Sequence, residues 1–208
     1  MQITIFGASG RVGQLIVQRA LALNYEVVAV THSQSPFQEQ THLKTIQGDI
    51  KNAAFVAQAM HSSDAVISAL GSWGTKTKDI VASGTKNIIM AAENQHLNRV
   101  ITLTGTAAFA STDQVSSLDK LSHLFLSIVA PKILKDGEAH LGMLEASNLD
   151  WTCIRSPAMS STNYDGYVLK TRLASLLARI PRQAVAKAMI DQLTATDQYR
   201  KAPVIYQK

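Results

Sequence analysis

Thiols are almost missing: Cys153 is the only cysteine in the chain. A lone cysteine excludes an internal disulfide and any cysteine-rich metal site. It also suits a reducing compartment, so a cytoplasmic location is expected. No apolar run approaches the roughly 18 residues of a membrane span, so no membrane association is expected. The chain opens directly on strand-like residues, so no secretory leader is expected. Basic residues give a net charge of +5, but they are scattered. The clustered footprint of a nucleic-acid binder is absent, and a modest positive field suits an anionic small molecule instead. Repeats, linkers and low-complexity tracts are also absent, so residues 1–208 are read as one domain.

What is present starts at the N-terminus, with MQITIFGASGRVGQLIVQ. Ile3 to Phe6 are branched or aromatic and read as a buried strand. Val12, Leu15 and Ile16 then share one face of a helix. Gly7, Ala8, Ser9, Gly10, Arg11, Val12 and Gly13 make the turn between them. A strand–turn–helix of this kind aims free main-chain N–H groups and the positive helix end at one point, which suits a phosphate. Gly7 allows the sharp exit, Gly10 lets a pyrophosphate approach the main chain, and Gly13 lets the helix lie on the sheet. Ser9 adds a hydroxyl and Arg11 a charge. The spacing is Gly-x-x-Gly-x-x-Gly rather than Gly-x-Gly-x-x-Gly.

Strands and helices alternate along the rest of the chain, which predicts an α/β, doubly wound, mostly parallel sheet. Further strands are expected at Glu26 to Val30, Lys44 to Gln47, Asp64 to Leu70, Arg99 to Thr104, Leu149 to Arg155 and Ala202 to Tyr206, with a short one near 166–170. Helices are expected over 51–60, 80–94, 136–148 and 181–193. Asp49 reads as the N-cap of the first of these. Leu118, Leu121, Leu124, Phe125, Ile128 and Val129 are also at helical spacing, ahead of a break at Pro131. That segment reads as a lid or a self-association helix, so a monomer or a homodimer is expected. His123 within it lacks partners at metal-ligand spacing and reads as a surface residue; no metal site is expected.

GASGRVG near the start and LEASNLDWTCIRSP near residue 150 together resemble the atypical short-chain dehydrogenase/reductase superfamily. The branch is that of small NAD(P)H-binding reductases, which resemble flavin reductase/biliverdin reductase B and NmrA-like proteins. The resemblance implies a Rossmann sheet with a small C-terminal substrate-side portion. It places Asp49 and Ile50 by the adenine, and Ala69, Leu70 and Gly71 where the chain passes the cofactor. It places Thr104 or Thr106 at the nicotinamide, and the main chain from Ser156 and Pro157 to Met159 at the carboxamide. Trp73, in the loop 72–74, reads as a cover for the site or a plug for a surface gap. Tyr164 and Tyr167 are read as lining a substrate entrance.

Two further absences narrow the chemistry. No acidic residue follows the second strand, where an NAD site holds the ribose hydroxyls. His32 and Ser33 stand there and suit a 2′-phosphate, so NADP is favoured and NAD remains open. No tyrosine stands four residues before a lysine, so ordinary alcohol and ketone dehydrogenation by that pair is disfavoured. A flavin or quinone-like acceptor takes hydride onto a conjugated ring without such an acid, the protein mainly aligning two rings. Thr104, Thr106 and His140 are the polar residues expected to relay a proton; the resemblance puts a histidine one residue from His140, at Leu141. The expected activity is NAD(P)H-dependent reduction of a small conjugated acceptor. The alternative is an NmrA-like NAD(P) sensor without turnover.

Overall fold

The computed structural model describes residues 1–73, 75, 77–175 and 177–208. Strands buried on both faces need continuous apolar runs rather than alternation. β1 (Gln2–Phe6), β2 (Glu26–Thr31) and β4 (Ala65–Ser68) have this character. β1 lies between the other two, with Ile3 in parallel register against Val27 on one side and Ala65 on the other. β3 (Leu43–Gln47), β5 (Arg99–Gly105), β6 (Asp150–Ser156), β8 (Tyr167–Lys170) and β10 (Val204–Gln207) complete a sheet of eight strands. Its order is β3-β2-β1-β4-β5-β6-β10-β8, and only β8 runs antiparallel to its neighbour. The chain thus winds outward from β1 in one direction, returns, and winds outward in the other. The point of reversal lies between β1 and β4, and ligands of such sheets bind outside the carboxyl ends of the strands there.

α1 (Arg11–Ala22) and α6 (Arg182–Asp191) cover one face, packing Ile16, Val17, Val185 and Met189 on Ile3, Ile5 and Ile101. α2 (Ala53–Ala59), α3 (Ile80–Asn94) and α5 (Pro131–Ala146) cover the other, with Val56, Ile88, Leu141 and Leu144 on Phe6, Val66 and Val100. α4 (Ser117–Val129) packs on α5 and contributes no buried residue. Among the described residues, no helix is long and apolar enough to cross a membrane.

Three local features depart from the sequence expectations. Asn52, not Asp49, caps α2: its side chain accepts from the Phe55 N–H at 3.1 Å, while Asp49 accepts from the Lys51 N–H at 2.9 Å in a tight turn. α5 starts at Pro131 rather than at 136, because proline is tolerated in the first turn, where its missing N–H has no helical partner. β7 (Ala158–Ser160) and β9 (Arg179–Pro181) form a small separate parallel ladder that was not expected.

Candidate functional site

The glycine turn leaves β1 at the point of reversal. Gly7 has φ +72°, and a Cβ there would stand 2.9 Å from the Ala69 carbonyl oxygen. Gly13 sits so close under the turn that a Cβ would lie 2.8 Å from the Cα of Ala8. Gly10 precedes α1 without a side-chain cap. The N–H groups of Arg11, Val12 and Gly13 therefore have no helical acceptor. Ser9 is half-buried in the turn, and its carbonyl accepts from the Gln14 side chain at 2.8 Å. Arg11 is exposed beside it.

The opposite wall is Ala69, Leu70 and Gly71, directly after β4. Leu70 and Ile50 meet at Gly84 of α3: a Cβ there would be 2.6 Å from Leu70 Cδ1 and 2.8 Å from Ile50 Cγ1. The Ile50 carbonyl is held by the Asn87 side chain at 2.8 Å. Next in the chain, Ser72 is buried, and its hydroxyl donates to Asp136 of α5. Asp136 also accepts from the N–H groups of Val81 at 3.2 Å and Ala82 at 2.8 Å. Nothing in the sequence pattern singles out Asp136, because its partners are distant in the chain. Trp73 is 70% exposed, so it plugs no gap in the surface; Gly74 lies outside the described residues.

At the end of β2, His32 and Ser33 are exposed, and the His32 carbonyl accepts from Gln47 at 3.4 Å. The preceding Thr31 is buried, and its hydroxyl has no partner among the described residues. Asp49 is exposed and Ile50 buried, on the near side of α2.

The far end of the crevice is built by β5 and β6, which pair Thr104 with Arg155 and Gly105 with Ser156. The Thr106 N–H donates to the Ser156 carbonyl at 3.2 Å, so Thr104, Thr106, Ser156 and Pro157 gather at one place. The side chain of Arg155 is buried beneath them. Its Nε donates to the Ala202 carbonyl at 2.7 Å, and its Nη2 to Asp113 at 2.7 Å. That carboxylate also accepts from the Ala110 N–H at 2.8 Å, which fixes the loop after β5.

His140 does not join this cluster. It is fully buried, with Nδ1 2.6 Å from the Thr85 hydroxyl and Nε2 3.0 Å from the Thr102 hydroxyl. Thr102 is one pleat deeper on β5 than Thr104. Burial lowers the pKa of this imidazole to about 4 and pushes the neighbouring Cys153 thiol up to about 12. A ring sealed in this way cannot touch a substrate, which corrects its expected role as a proton relay. Tyr164 and Tyr167 are each held by one hydrogen bond. Tyr164 donates to the Lys208 carbonyl at 3.0 Å, and Tyr167 to Asp191 at 2.7 Å.

His123 differs from its expectation as a plain surface residue. It is half-buried, with Nε2 2.7 Å from Glu138 Oε1 of α5 and its ring 4.9 Å from that of Phe109. The outward side of α4 is apolar, with Leu118, Leu121, Phe125 and Ile128 all more than half exposed. A surface hollow of about 910 Å³ lies between α2 and β3 and reaches Gln2 and His61. It therefore opens towards the amino ends of the strands, the wrong edge for a ligand of this fold.

The model of the NAD(P)H-binding family matches residues 7–196. A 2-alkyl-3-oxoalkanoate reductase of Shewanella oneidensis is 29% identical over 116 residues, 53% of this chain. The chain spans only 30% of that relative's length. Among solved structures, the oxidoreductase ylbE of Lactococcus lactis superposes with a TM-score of 0.80 at 20% identity, covering 100% of this chain and 91% of that one. A short-chain dehydrogenase/reductase of Veillonella parvula, solved in complex with NADP, superposes with a TM-score of 0.79 at 21% identity, covering 99% of this chain and 94% of the other. At such identities the two structures show a shared fold.

Proposed function

Because the chain belongs to the NAD(P)H-binding family, we propose that it is an NADPH-dependent oxidoreductase that reduces a flavin, a quinone or a similar conjugated acceptor. The observation that carries this reading is that the free amides of α1, the Gly7 turn against Ala69, and the Thr104 and Thr106 end of β5 all lie at the carboxyl ends of neighbouring parallel strands. The amides suit a pyrophosphate, through their charge and the close approach that the glycines allow. Ile50 and Leu70 suit the adenine end, and Ser156 and Pro157 the carboxamide end. A bound dihydronicotinamide supplies a hydride. The chain's own contribution is to hold donor and acceptor in line at Thr104 and Thr106.

NADP is favoured because the end of β2 offers His32 and Ser33, both open to solvent, and no carboxylate. A second reading, an NAD(P)-binding regulator without turnover, draws on the outward apolar face of α4. Titration with NADPH, NADP and NAD, followed by absorbance with a panel of flavins and quinones, separates them. An enzyme oxidises NADPH only when an acceptor is added. A regulator binds both redox forms and consumes neither. Tighter binding of NAD than of NADP removes the assignment of His32.

A further inference from the structure

With the Tyr/Lys pair absent and His140 sealed, reduction of an acceptor still needs a proton source. We propose that His123, held by Glu138, delivers the proton to the acceptor at the Thr106 end of the crevice. This rests on the oxidoreductase reading and adds a catalytic residue to it.

The first support is the unusual way α4 is turned. A surface helix normally buries its apolar stripe. Here Leu121, Leu124, Phe125 and Ile128 face out, while Asp119, Ser122 and His123 face in. A local rule broken in this way points to a functional demand on the inward side. The second support is the pairing itself. The Glu138 carboxylate engages Nε2, and a carboxylate on one ring nitrogen fixes the orientation of the imidazole and leaves the other nitrogen to exchange protons. Among the described residues, Nδ1 has no hydrogen-bond partner. Stacking against Phe109 holds the ring plane.

The third support is position. His123, Ser122 and Thr106 border one small recess of about 20 Å³, together with Phe109 and Leu173. That volume holds a single water. A water in this recess would carry the proton between the imidazole and the Thr106 hydroxyl, beside which the acceptor is reduced. For a quinone, hydride from NADPH adds to the conjugated system, and an electron pair moves onto a carbonyl oxygen. That oxygen takes the proton released from Nδ1. The neutral imidazole regains a proton from solvent, since its side chain is 30% exposed. The sum is NADPH, a proton and quinone giving NADP⁺ and hydroquinone.

The test uses the full chain with NADPH and a naphthoquinone. His123→Ala is expected to lower kcat by about 100-fold or more, the usual worth of a positioned acid, with KM for NADPH unchanged and part of the rate restored by added imidazole. Glu138→Gln is expected to lower kcat less, again without imidazole-insensitive loss of cofactor binding. In nitrogen-labelled protein, the His123 Nδ1 signal is expected to shift when NADP⁺ and the quinone are added together, whereas Nε2 keeps its bonded character. His123→Gln, which can still donate to Glu138, repeats the kinetic test should the alanine variant fail to fold. An active wild type whose His123 variants stay within two-fold, or whose Nδ1 signal ignores the ligands, overturns this proposal alone. A wild type that binds NADPH but oxidises none of it in the presence of the naphthoquinone overturns the oxidoreductase reading, and this one with it.

Discussion

Asp136 caps a helix to which it does not belong. Its carboxylate takes the Ser72 hydroxyl, 64 residues earlier in the chain, together with the first free N–H groups of α3 at Val81 and Ala82. Asp79, in the N-cap position itself, makes no capping bond and pairs instead with Lys51 at 2.9 Å. The amino end of α3 and the chain leaving β4 are thus both fastened to α5. Asp136→Ala leaves buried donors without an acceptor, which costs about 1–3 kcal/mol for each group orphaned. The expected outcome is a clear fall in thermal stability and weaker binding of NADPH, because Gly71 and Ser72 lose their anchor. Asp136→Asn keeps one acceptor and is expected to lose less. Melting curves and a fluorescence titration with NADPH check both.

His140 gives the fold a defined acid sensitivity. Its folded pKa of about 4 lies below the ordinary 6.5, because burial penalises the charged ring. The unfolded chain therefore binds the proton more readily than the folded one. The stability tied to the neutral ring is complete above about 6.5 and is lost as pH falls from there towards 4. The full loss is about 3 kcal/mol, at 1.36 kcal/mol for each pKa unit. Urea melts of the wild type at pH 7, 5.5 and 4.5 are expected to show this decline. His140→Gln can still bond Thr85 or Thr102 but does not titrate, so its decline over the same range is expected to be shallower. Because the ring touches no substrate, the same variant is expected to retain hydride transfer at pH 7.

The parts of the site that lie close in sequence were legible from it. Gly7 to Gly13 form one turn with one geometry, and buried parallel strands announce themselves as apolar runs. The end of β5 followed from the same logic, and with it Thr104 and Thr106. What could not be read is what joins distant segments. Asp136 looks like any exposed carboxylate on a helix until α3 is laid beside it. His140 and His123 carry the same side chain on neighbouring helices, and only packing makes one a sealed core residue and the other a paired one. Asn52 outcompeted Asp49 as a cap because α2 starts later than its apolar spacing suggested.

The Arg155–Asp113 pair is expected to be among the most sensitive points of the chain. Both side chains are almost fully buried, at 1% and 4% exposure. Removing one partner of a buried pair leaves an uncompensated charge, at about 3–5 kcal/mol. Asp113→Ala is therefore expected to be more damaging than removal of the exposed Asp79 partner of Lys51, whose ion pair is screened by water. The loss is expected to reach the site as well, because Asp113 holds Ala110, and Arg155 holds Ala108, in the loop that follows Thr106. Chemical denaturation of Asp113→Ala and Asp79→Ala side by side measures the contrast.

Gly13 and Gly105 separate a glycine required by packing from one that is not. A Cβ on Gly13 collides with the backbone of Gly7 and Ala8, and backbone cannot swing aside as a flexible side chain can. Gly13→Ala must push α1 off the sheet and distort the turn that carries its free amides. Overpacking of this kind costs about 1–3 kcal/mol, and the displaced amides no longer converge on one anion. The expected result is a lower melting temperature together with loss of NADPH binding. A Cβ on Gly105 meets no atom within 4 Å. Gly105→Ala is therefore expected to keep stability within about 0.5 kcal/mol of the wild type. Both variants binding NADPH equally well would show that the coenzyme does not rest on the turn after β1, because only Gly13→Ala alters that turn.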